Sequence, residues 1–161
     1  MLEQFGDRNK LNKYKAAFIF LCLIGALIVV AATPPKTIGI DELSNQLKPC
    51  PKKLNCINTE YSDDTDHYAK PLFFPADKAT DILKQSKNII LSMGGEIEKE
   101  RVNYIHATFT SKIFRFVDDF EIRIDDVLHI RSASRIGSSD FGVNKERVEL
   151  FTLEFKKTYP D

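Results

Sequence analysis

The sequence contains no Trp, and it shows no excess of either charge, with 23 basic and 23 acidic residues. The first 32 residues carry four basic and two acidic residues, which leaves 19 basic and 21 acidic residues in the remainder. A nucleic-acid-binding surface would need a basic excess, so the composition argues against that class of function. Because Phe occurs 12 times, the chain is expected to build a Phe-rich core.

Motifs of common catalytic and metal sites are also missing. There is no Gly-x-Ser-x-Gly motif, and His67 and His106 are not in a His-x-x-x-His spacing. The segment 63–66, Asp-Asp-Thr-Asp, lacks the glycine and distal glutamate of a calcium-binding loop, so a solvated loop is expected there. No metal and no cofactor is predicted.

Cysteine is scarce, and only Cys50 and Cys56 follow the apolar N-terminal part of the chain. Two thiols cannot complete a structural zinc site, which needs four ligands. Outside the cytosol, two nearby cysteines indicate a disulfide. Since so short a loop removes little unfolded-chain entropy, the bond would act locally, at the entry to the first strand. A redox-active pair and free thiols are the alternatives.

One long uncharged run is present, residues 16–32, AAFIFLCLIGALIVVAA. As a helix it would extend about 25 Å, the short end of what spans a bilayer core. It follows a segment with four basic residues, Arg8, Lys10, Lys13 and Lys15. The positive-inside rule therefore predicts a cytoplasmic tail at residues 1–15 and a domain on the exported side, periplasmic or lumenal.

A cleaved signal peptide is the alternative to a retained signal-anchor, because Val30-Ala31-Ala32 offers a small-residue cleavage pattern. The run is longer than the roughly 7–15 apolar residues of a cleaved signal, which favours the anchor. Cys22 lacks the small preceding residue of a lipoprotein signal. Both alternatives export the same domain.

The exported part is expected to contain a Pro-containing linker at residues 33–46 and a domain at residues 47–159. Hydrophobic periodicity predicts a short strand from Ile57, a helix from Pro75 to Met93 ended by two glycines, four strands and a last helix capped by Asn144. The four strands are placed at residues 96–101, 104–110, 114–125 and 128–136. The fold class is α+β, with an antiparallel meander sheet and helices on one face.

Alternation is clearest in residues 114–125, where the even positions are largely apolar and the odd ones largely polar. The even face is expected to lie in the core and the odd face in water. A three-residue turn at residues 125–127 pairs Ile124 with Leu128 and Glu121 with Arg131. Asp118 then lies on the apolar face opposite Ser134, and burial of its charge requires a partner or a raised pKa.

Asp118 is interpreted either as a structural carboxylate that accepts hydrogen bonds from Ser134 and loop amides or as a functional one, a general acid or base or a ligand clamp. The junction between the last strand and the last helix combines arginines, hydroxyls and a helix N-terminus, which can bind an anion. An internal ion-pair network with Asp118, Asp119, Glu121 and Asp140 is the alternative. The candidate ligand-binding residues are Arg131, Ser132, Ser134, Arg135, Ser139, Asp140, Asn144 and Arg147, with Ser138 beside them.

Three segments carry a family resemblance: residues 50–56 (CPKKLNC), 114–119 (FRFVDD) and 131–149 (RSASRIGSSDFGVNKERVE). Together they resemble the domain of unknown function 1499 family of bacteria and chloroplasts, over about residues 47–158. Lys145 and Glu146 stand where that family often has arginines, and Ile57-Asn58-Thr59 replaces a more usual Val-Ser-Ser. The resemblance supports domain boundaries and implies almost nothing about activity.

The leading hypothesis is a non-enzymatic, membrane-anchored domain of the cell envelope that binds a partner protein, a lipid or a small anionic ligand. The alternative is an envelope hydrolase or transferase that uses Asp118 or Asp119, with Arg131 or Arg135 to stabilise charge. An enzyme is the less favoured of the two, because no known catalytic constellation occurs in the sequence.

The predicted topology is tested by fusing alkaline phosphatase after residue 161. We expect an active fusion, because the enzyme folds only on the exported side, and a silent one for a reporter that works only in the cytoplasm. The opposite pattern would contradict the predicted compartment.

Overall fold

The computed structural model describes residues 3–32 and 38–160. Its elements in chain order are α1 (Glu3–Ala32), β1 (Cys56–Asn58), α2 (Ala79–Ser92), β2 (Glu96–Arg101), β3 (Tyr104–Thr110), β4 (Val117–Ile124), β5 (Leu128–Ser134) and α3 (Val143–Thr158). A single 3₁₀ turn, Ala76–Lys78, leads into α2. The predicted α+β class is confirmed.

Helix α1 includes the apolar run 16–32. In the part of the chain that the structure describes, none of the helices combines the length and hydropathy that a membrane crossing requires. The transmembrane anchor therefore stays a prediction. Residues 33–37 of the predicted linker, and the side chains of residues 27–32 at the alternative cleavage site, lie outside the described residues.

The five strands form one antiparallel sheet in the order β1-β5-β4-β3-β2. The predicted register between β4 and β5 is confirmed, with Ile124 opposite Leu128 and Glu121 opposite Arg131. Strand β1 adds to the outer edge of β5, where Ile57 pairs with Ser132. The meander therefore follows the predicted strand order, with one strand added from the start of the domain.

Helices α2 and α3 pack on the same face of the sheet and enclose the main hydrophobic core. Phe151 and Phe155 of α3 are fully buried, and Phe120 of β4 lies between the rings of Phe109 and Phe151 at 5.7 and 5.4 Å. Each pair of aromatic rings at such a distance contributes about 0.5–1.5 kcal/mol to stability beyond the effect of its buried area. The core is Phe-rich, as predicted.

The odd-numbered face of β4 was predicted to face water, and this is wrong. Asp119, Glu121 and Arg123 are all buried. They are covered by the chain segment that precedes and includes β1, in which Leu47 is fully buried and the Gly39 amide donates to Glu121 Oε1 at 2.7 Å. The sheet is thus enclosed on both faces, by helices on one and by an irregular segment on the other.

The outer ends of the predicted strands also differ from the structure. Phe114 and Phe116, assigned to the inner face of a strand from residue 114, precede β4 and are exposed. Strand β5 ends at Ser134 rather than at Ile136. Beyond both strand ends single backbone hydrogen bonds lead into the loops, from Ser111 N to Phe116 O at 2.8 Å and from Arg135 N to Val117 O at 3.2 Å.

Buried charges on the covered face are paired. Glu121 accepts hydrogen bonds from Tyr104 Oη at 2.7 Å and from Arg131 Nη1 at 2.9 Å. Burial and the adjacent Glu121 carboxylate raise the pKa of Tyr104, so that its hydroxyl stays a donor. Arg123 contacts Glu60 through Nε at 2.6 Å. Each charge therefore finds its counter-charge inside the domain.

The predicted disulfide is confirmed: Cys50 and Cys56 are bonded, with their Cα atoms 5.8 Å apart. Cys56 is also the first residue of β1. The Asn55 carbonyl, one residue earlier, accepts the backbone amide of Ser134 at 3.0 Å. The disulfide closes its loop directly at the start of the edge strand, which is the local role expected of it.

Replacing Arg131 tests how much a buried ion pair contributes to the stability of the domain. Arg131→Met leaves the Glu121 charge buried without its counter-charge, so we expect the free energy of unfolding to fall by about 3–5 kcal/mol. Denaturant unfolding of the full chain measures this loss. The matched control, Arg101→Met at an exposed end of β2, should change stability little. Equal stability of the two variants would contradict the role assigned to the pair.

Candidate functional site

The sequence-predicted site residues divide between the two faces of the sheet. Arg131 and Arg135 lie with Glu121 and Asp119 on one face of the sheet. This face is covered by the chain segment that precedes and includes β1, which we call the early segment. The other candidate residues lie on the face covered by the helices or in the loop that leads from β5 to α3. They are Asp118, Ser132, Ser134, Ser139, Asp140, Asn144 and Arg147. The predicted arginine cluster is therefore two separate arrangements.

Asp119 is the centre of the arrangement on the covered face. Its carboxylate accepts from His106 Nε2 at 2.8 Å and from Arg135, through Nη2 at 2.8 Å and Nε at 3.0 Å. Burial alone would raise the pKa of Asp119, but the hydrogen bonds from His106 and Arg135 outweigh it and lower the pKa. Asp119 is therefore an ionised carboxylate with both oxygens already accepting hydrogen bonds.

The start of α3 differs from the sequence prediction. Asn144 was expected to cap the helix, but the helix begins at Val143, after Gly142. The capping role belongs to Asp140, whose carboxylate accepts the amides of Gly142 at 3.1 Å and of Asn144 at 2.7 Å. Both residues are favourable cap types, and Asp140 takes this role because the Asn144 side chain is drawn into the domain.

Asn144 is buried and joins three parts of the domain. Its Nδ2 donates to the Asn55 carbonyl at 3.1 Å and to Ser134 Oγ at 2.9 Å. Its Oδ1 accepts from Ser132 Oγ at 2.5 Å and from Arg147 Nη1 at 2.8 Å. This one amide therefore links the disulfide loop, β5 and α3, which is a structural role.

Asp118 pairs with Arg147, and not with Ser134 as expected from the register. The two residues are opposite each other in the ladder, but Asp118 Oδ2 lies 2.9 Å from Arg147 Nη2, and Ser134 Oγ accepts from Asn144. The Arg147 guanidinium also lies 4.6 Å above the ring of Phe109. The side chains of Asp118 and Arg147 are only 14% and 11% exposed, so the pair is a largely buried bridge from β4 to α3.

Beside this ion pair lies an open groove of about 370 Å³, which we call the aromatic groove. It separates the loop between β3 and β4 from the loop between β5 and α3. Its apolar lining residues are Phe114, Phe116, Ile136, Phe141 and Val143, and its polar ones are Ser111, Asp118, Ser134, Gly137, Ser139 and Asp140. Two candidate carboxylates, Asp118 and Asp140, therefore border an apolar groove that the sequence did not predict.

Both groove loops hold a residue in the left-handed region of backbone conformation, Arg115 at φ 57° and Phe141 at φ 57°. Such a conformation costs a residue with a side chain about 1 kcal/mol or more. Hydrogen bonds hold the loops there: the Phe116 amide donates to Ser111 Oγ at 2.9 Å, and the Phe141 amide to Ser139 Oγ at 3.3 Å. The aromatic side chains are thus presented by constrained turns.

A second cavity, of about 540 Å³, lies on the opposite side, between the early segment and β2–β3. Tyr104 and His106 belong to its wall. His106 is bonded to Asp119, and Tyr104 to Glu121. Among the residues that the structure describes, no group of three His, Cys, Asp or Glu side chains is placed to hold a metal ion.

The five-stranded sheet and the helices on one of its faces form a small α+β domain. The model of the family described as "Protein of unknown function (DUF1499)" matches residues 46–155. The chain belongs to this family, which confirms the resemblance inferred from its motifs. No curated protein matches the chain.

The Asp118–Arg147 bridge can be tested by a double-mutant cycle. Asp118→Ala and Arg147→Ala should each lower the free energy of unfolding by about 1–3 kcal/mol, because each leaves a largely buried polar group without its partner. The double substitution should cost less than the sum, since the residues share one interaction. Thermal unfolding of the full chain measures the three values.

Asp126→Ala, at an exposed turn residue, serves as the control and should be nearly neutral. An Asp118→Ala protein as stable as the wild type would contradict the structural role of Asp118. It would favour the interpretation that this carboxylate is held ready for a ligand.

Proposed function

We propose that this chain is a non-enzymatic lipid-binding domain of the cell envelope, and that the aromatic groove holds part of an acyl chain. The observation that carries the proposal is the lining of the groove. Two constrained loops present three Phe side chains to one open cavity, and Phe141 is 98% exposed and Phe114 69% exposed. Large apolar side chains grouped on a surface mark binding sites far more often than scattered ones do.

The size and chemistry of the groove fit an apolar ligand. Its volume of about 370 Å³ falls within the roughly 300–1,000 Å³ of small-molecule sites. Covering exposed apolar surface stabilises a complex by about 25 cal/mol per Å². The carboxylates at its edge are both engaged, Asp118 by Arg147 and Asp140 by amides of the helix start. They therefore offer little attraction to a charged ligand.

A small anionic ligand fits this geometry less well. The three candidate arginines are each bonded to a carboxylate: Arg131 to Glu121, Arg135 to Asp119 and Arg147 to Asp118. An anion would have to displace a buried carboxylate from its own counter-charge, which leaves that carboxylate without compensation.

The hydrolase or transferase alternative also finds less support. Asp118 and Asp119 are neighbours in β4, so their side chains lie on opposite faces of the sheet and cannot act on one substrate. Asp119 is fully buried, and both of its oxygens accept hydrogen bonds. The charge-stabilising arginines assigned to this mechanism are neutralised within the domain.

The predicted topology supports access to lipid. Six peptide steps separate Ala32, the end of α1, from Ile38. An extended chain of that length spans about 20 Å. If residues 16–32 cross the bilayer, the domain is tethered close to its surface, and acyl chains are the most abundant apolar ligands there.

Photo-crosslinking in a bilayer tests the proposal. The full chain is reconstituted with phosphatidylcholine that carries a diazirine on one acyl chain, irradiated, digested and mapped by mass spectrometry. We expect crosslinks in the groove wall at residues 134–137, which lie outside the loop between β3 and β4, besides those in residues 16–32. Ile136→Asp puts a charge into the groove wall and should lower groove crosslinking more than about tenfold.

Leu153→Asp is the matched control, because Leu153 is an exposed apolar residue of α3 that does not line the groove. It should leave groove crosslinking unchanged. A wild-type chain that crosslinks only within residues 16–32 would overturn the proposal. Melting temperatures of both variants check that the folds are comparable.

A further inference from the structure

The loop between β3 and β4 has a composition that the aromatic groove alone does not explain. All of its residues from Ser111 to Phe116 are exposed, and its sequence is Ser-Lys-Ile-Phe-Arg-Phe. Ile113, at 83% exposure, and the basic residues Lys112 and Arg115 are not among the residues that line the groove. We call residues 111–116 the rim loop. It presents apolar and basic side chains to the solvent with no acidic residue among them.

We propose that the rim loop docks on the surface of an anionic lipid bilayer. Ile113 and Phe114 enter the interfacial layer, while Lys112 and Arg115 contact lipid phosphates. Apolar side chains next to basic ones are the combination that holds peripheral proteins at such surfaces, because burial of apolar area and attraction to anionic headgroups add together. Arginine also matches the geometry of a phosphate group through its planar fork.

The charges around the rim loop leave its positive potential intact. Within the described residues neither Lys112 nor Arg115 forms a salt bridge. The carboxylates among the residues that line the groove are Asp118, paired with Arg147, and Asp140, which accepts two amides of the helix start. The Asp118 charge is balanced by Arg147, and Asp140 lies on the facing loop rather than on the rim loop.

The shape of the loop supports a bilayer as the partner. Phe141, on the facing loop across the groove, is 98% exposed and extends the apolar rim beyond the loop itself. The left-handed conformation of Arg115 and the hydrogen bond from the Arg115 amide to the Ser111 carbonyl at 3.2 Å hold the tip in one turn. A constrained tip loses less entropy on insertion than a flexible one.

Docking by the rim loop is independent of an acyl chain in the groove. Lys112, Ile113 and Arg115 can bind a surface whether or not the groove is filled, and the groove wall at Ile136 is not part of the rim loop. Loss of groove crosslinking in Ile136→Asp therefore tests one proposal, and substitutions in the rim loop test the other.

Fluorescence quenching by brominated lipid acyl chains tests the docking. Ile113→Cys is introduced into a Cys22→Ser full chain and labelled with the fluorophore nitrobenzoxadiazole, and the protein is reconstituted into vesicles of brominated lipids. Val102→Cys is the matched control, since Val102 is 96% exposed in the turn at the other end of β3. In vesicles that contain phosphatidylglycerol, we expect strong quenching at position 113 and little at position 102.

Neutralising the basic residues decides whether charge is part of the docking. In Lys112→Gln/Arg115→Gln, the ratio of inserted to free loop should fall by up to about 30-fold. Vesicles of phosphatidylcholine alone, and high salt with the anionic vesicles, should weaken quenching in the same direction. Retained quenching in all three conditions would overturn the electrostatic part of the proposal. Equal quenching at positions 113 and 102 would overturn the docking itself and favour a protein partner for the rim loop.

Discussion

The buried carboxylate of Glu121 is the constraint on which the domain depends. It lies in the middle of the sheet, and it accepts from Tyr104, from Arg131 and from the Gly39 amide. An ionised group in such a place is tolerated only when every oxygen is satisfied. The early segment is therefore held against the sheet in part by the hydrogen bond from the Gly39 amide to this buried charge, whereas the helices on the other face are held by apolar packing.

How far the sequence predicts this fold depends on which face is considered. The order of the meander strands and the register of β4 with β5 follow from the alternation of apolar residues and a short turn. The covered polar face does not follow, because a strand position that carries Glu or Arg looks the same whether it faces water or a buried partner. Arg131 lies opposite Glu121 in the predicted register, but the Gly39 amide that also donates to Glu121 lies 82 residues away in the chain.

The sequence also predicts only part of the candidate site. The sequence correctly places Asp118, Ser134 and Asn144 at one junction, because strand register and the helix start bring them together. It does not predict the aromatic groove, since a groove between two loops depends on the conformation of both. A signal was present in residues 112–116, Lys-Ile-Phe-Arg-Phe, where apolar and basic side chains are mixed without regular alternation. Such a mixed segment fits an exposed loop that presents Phe114 to the solvent better than it fits the longer strand predicted from residue 114.

The two coverings of the sheet come from opposite ends of the domain. Leu47 and Gly39 close one face, and Phe151 and Phe155 of the last helix close the other. Without α3, the part of the apolar face that Phe151 and Phe155 cover would be exposed to solvent, and without the segment before β1 Glu121 would lose the hydrogen bond from the Gly39 amide. Contacts between segments so far apart in the chain slow folding, because long loops must close before these contacts form.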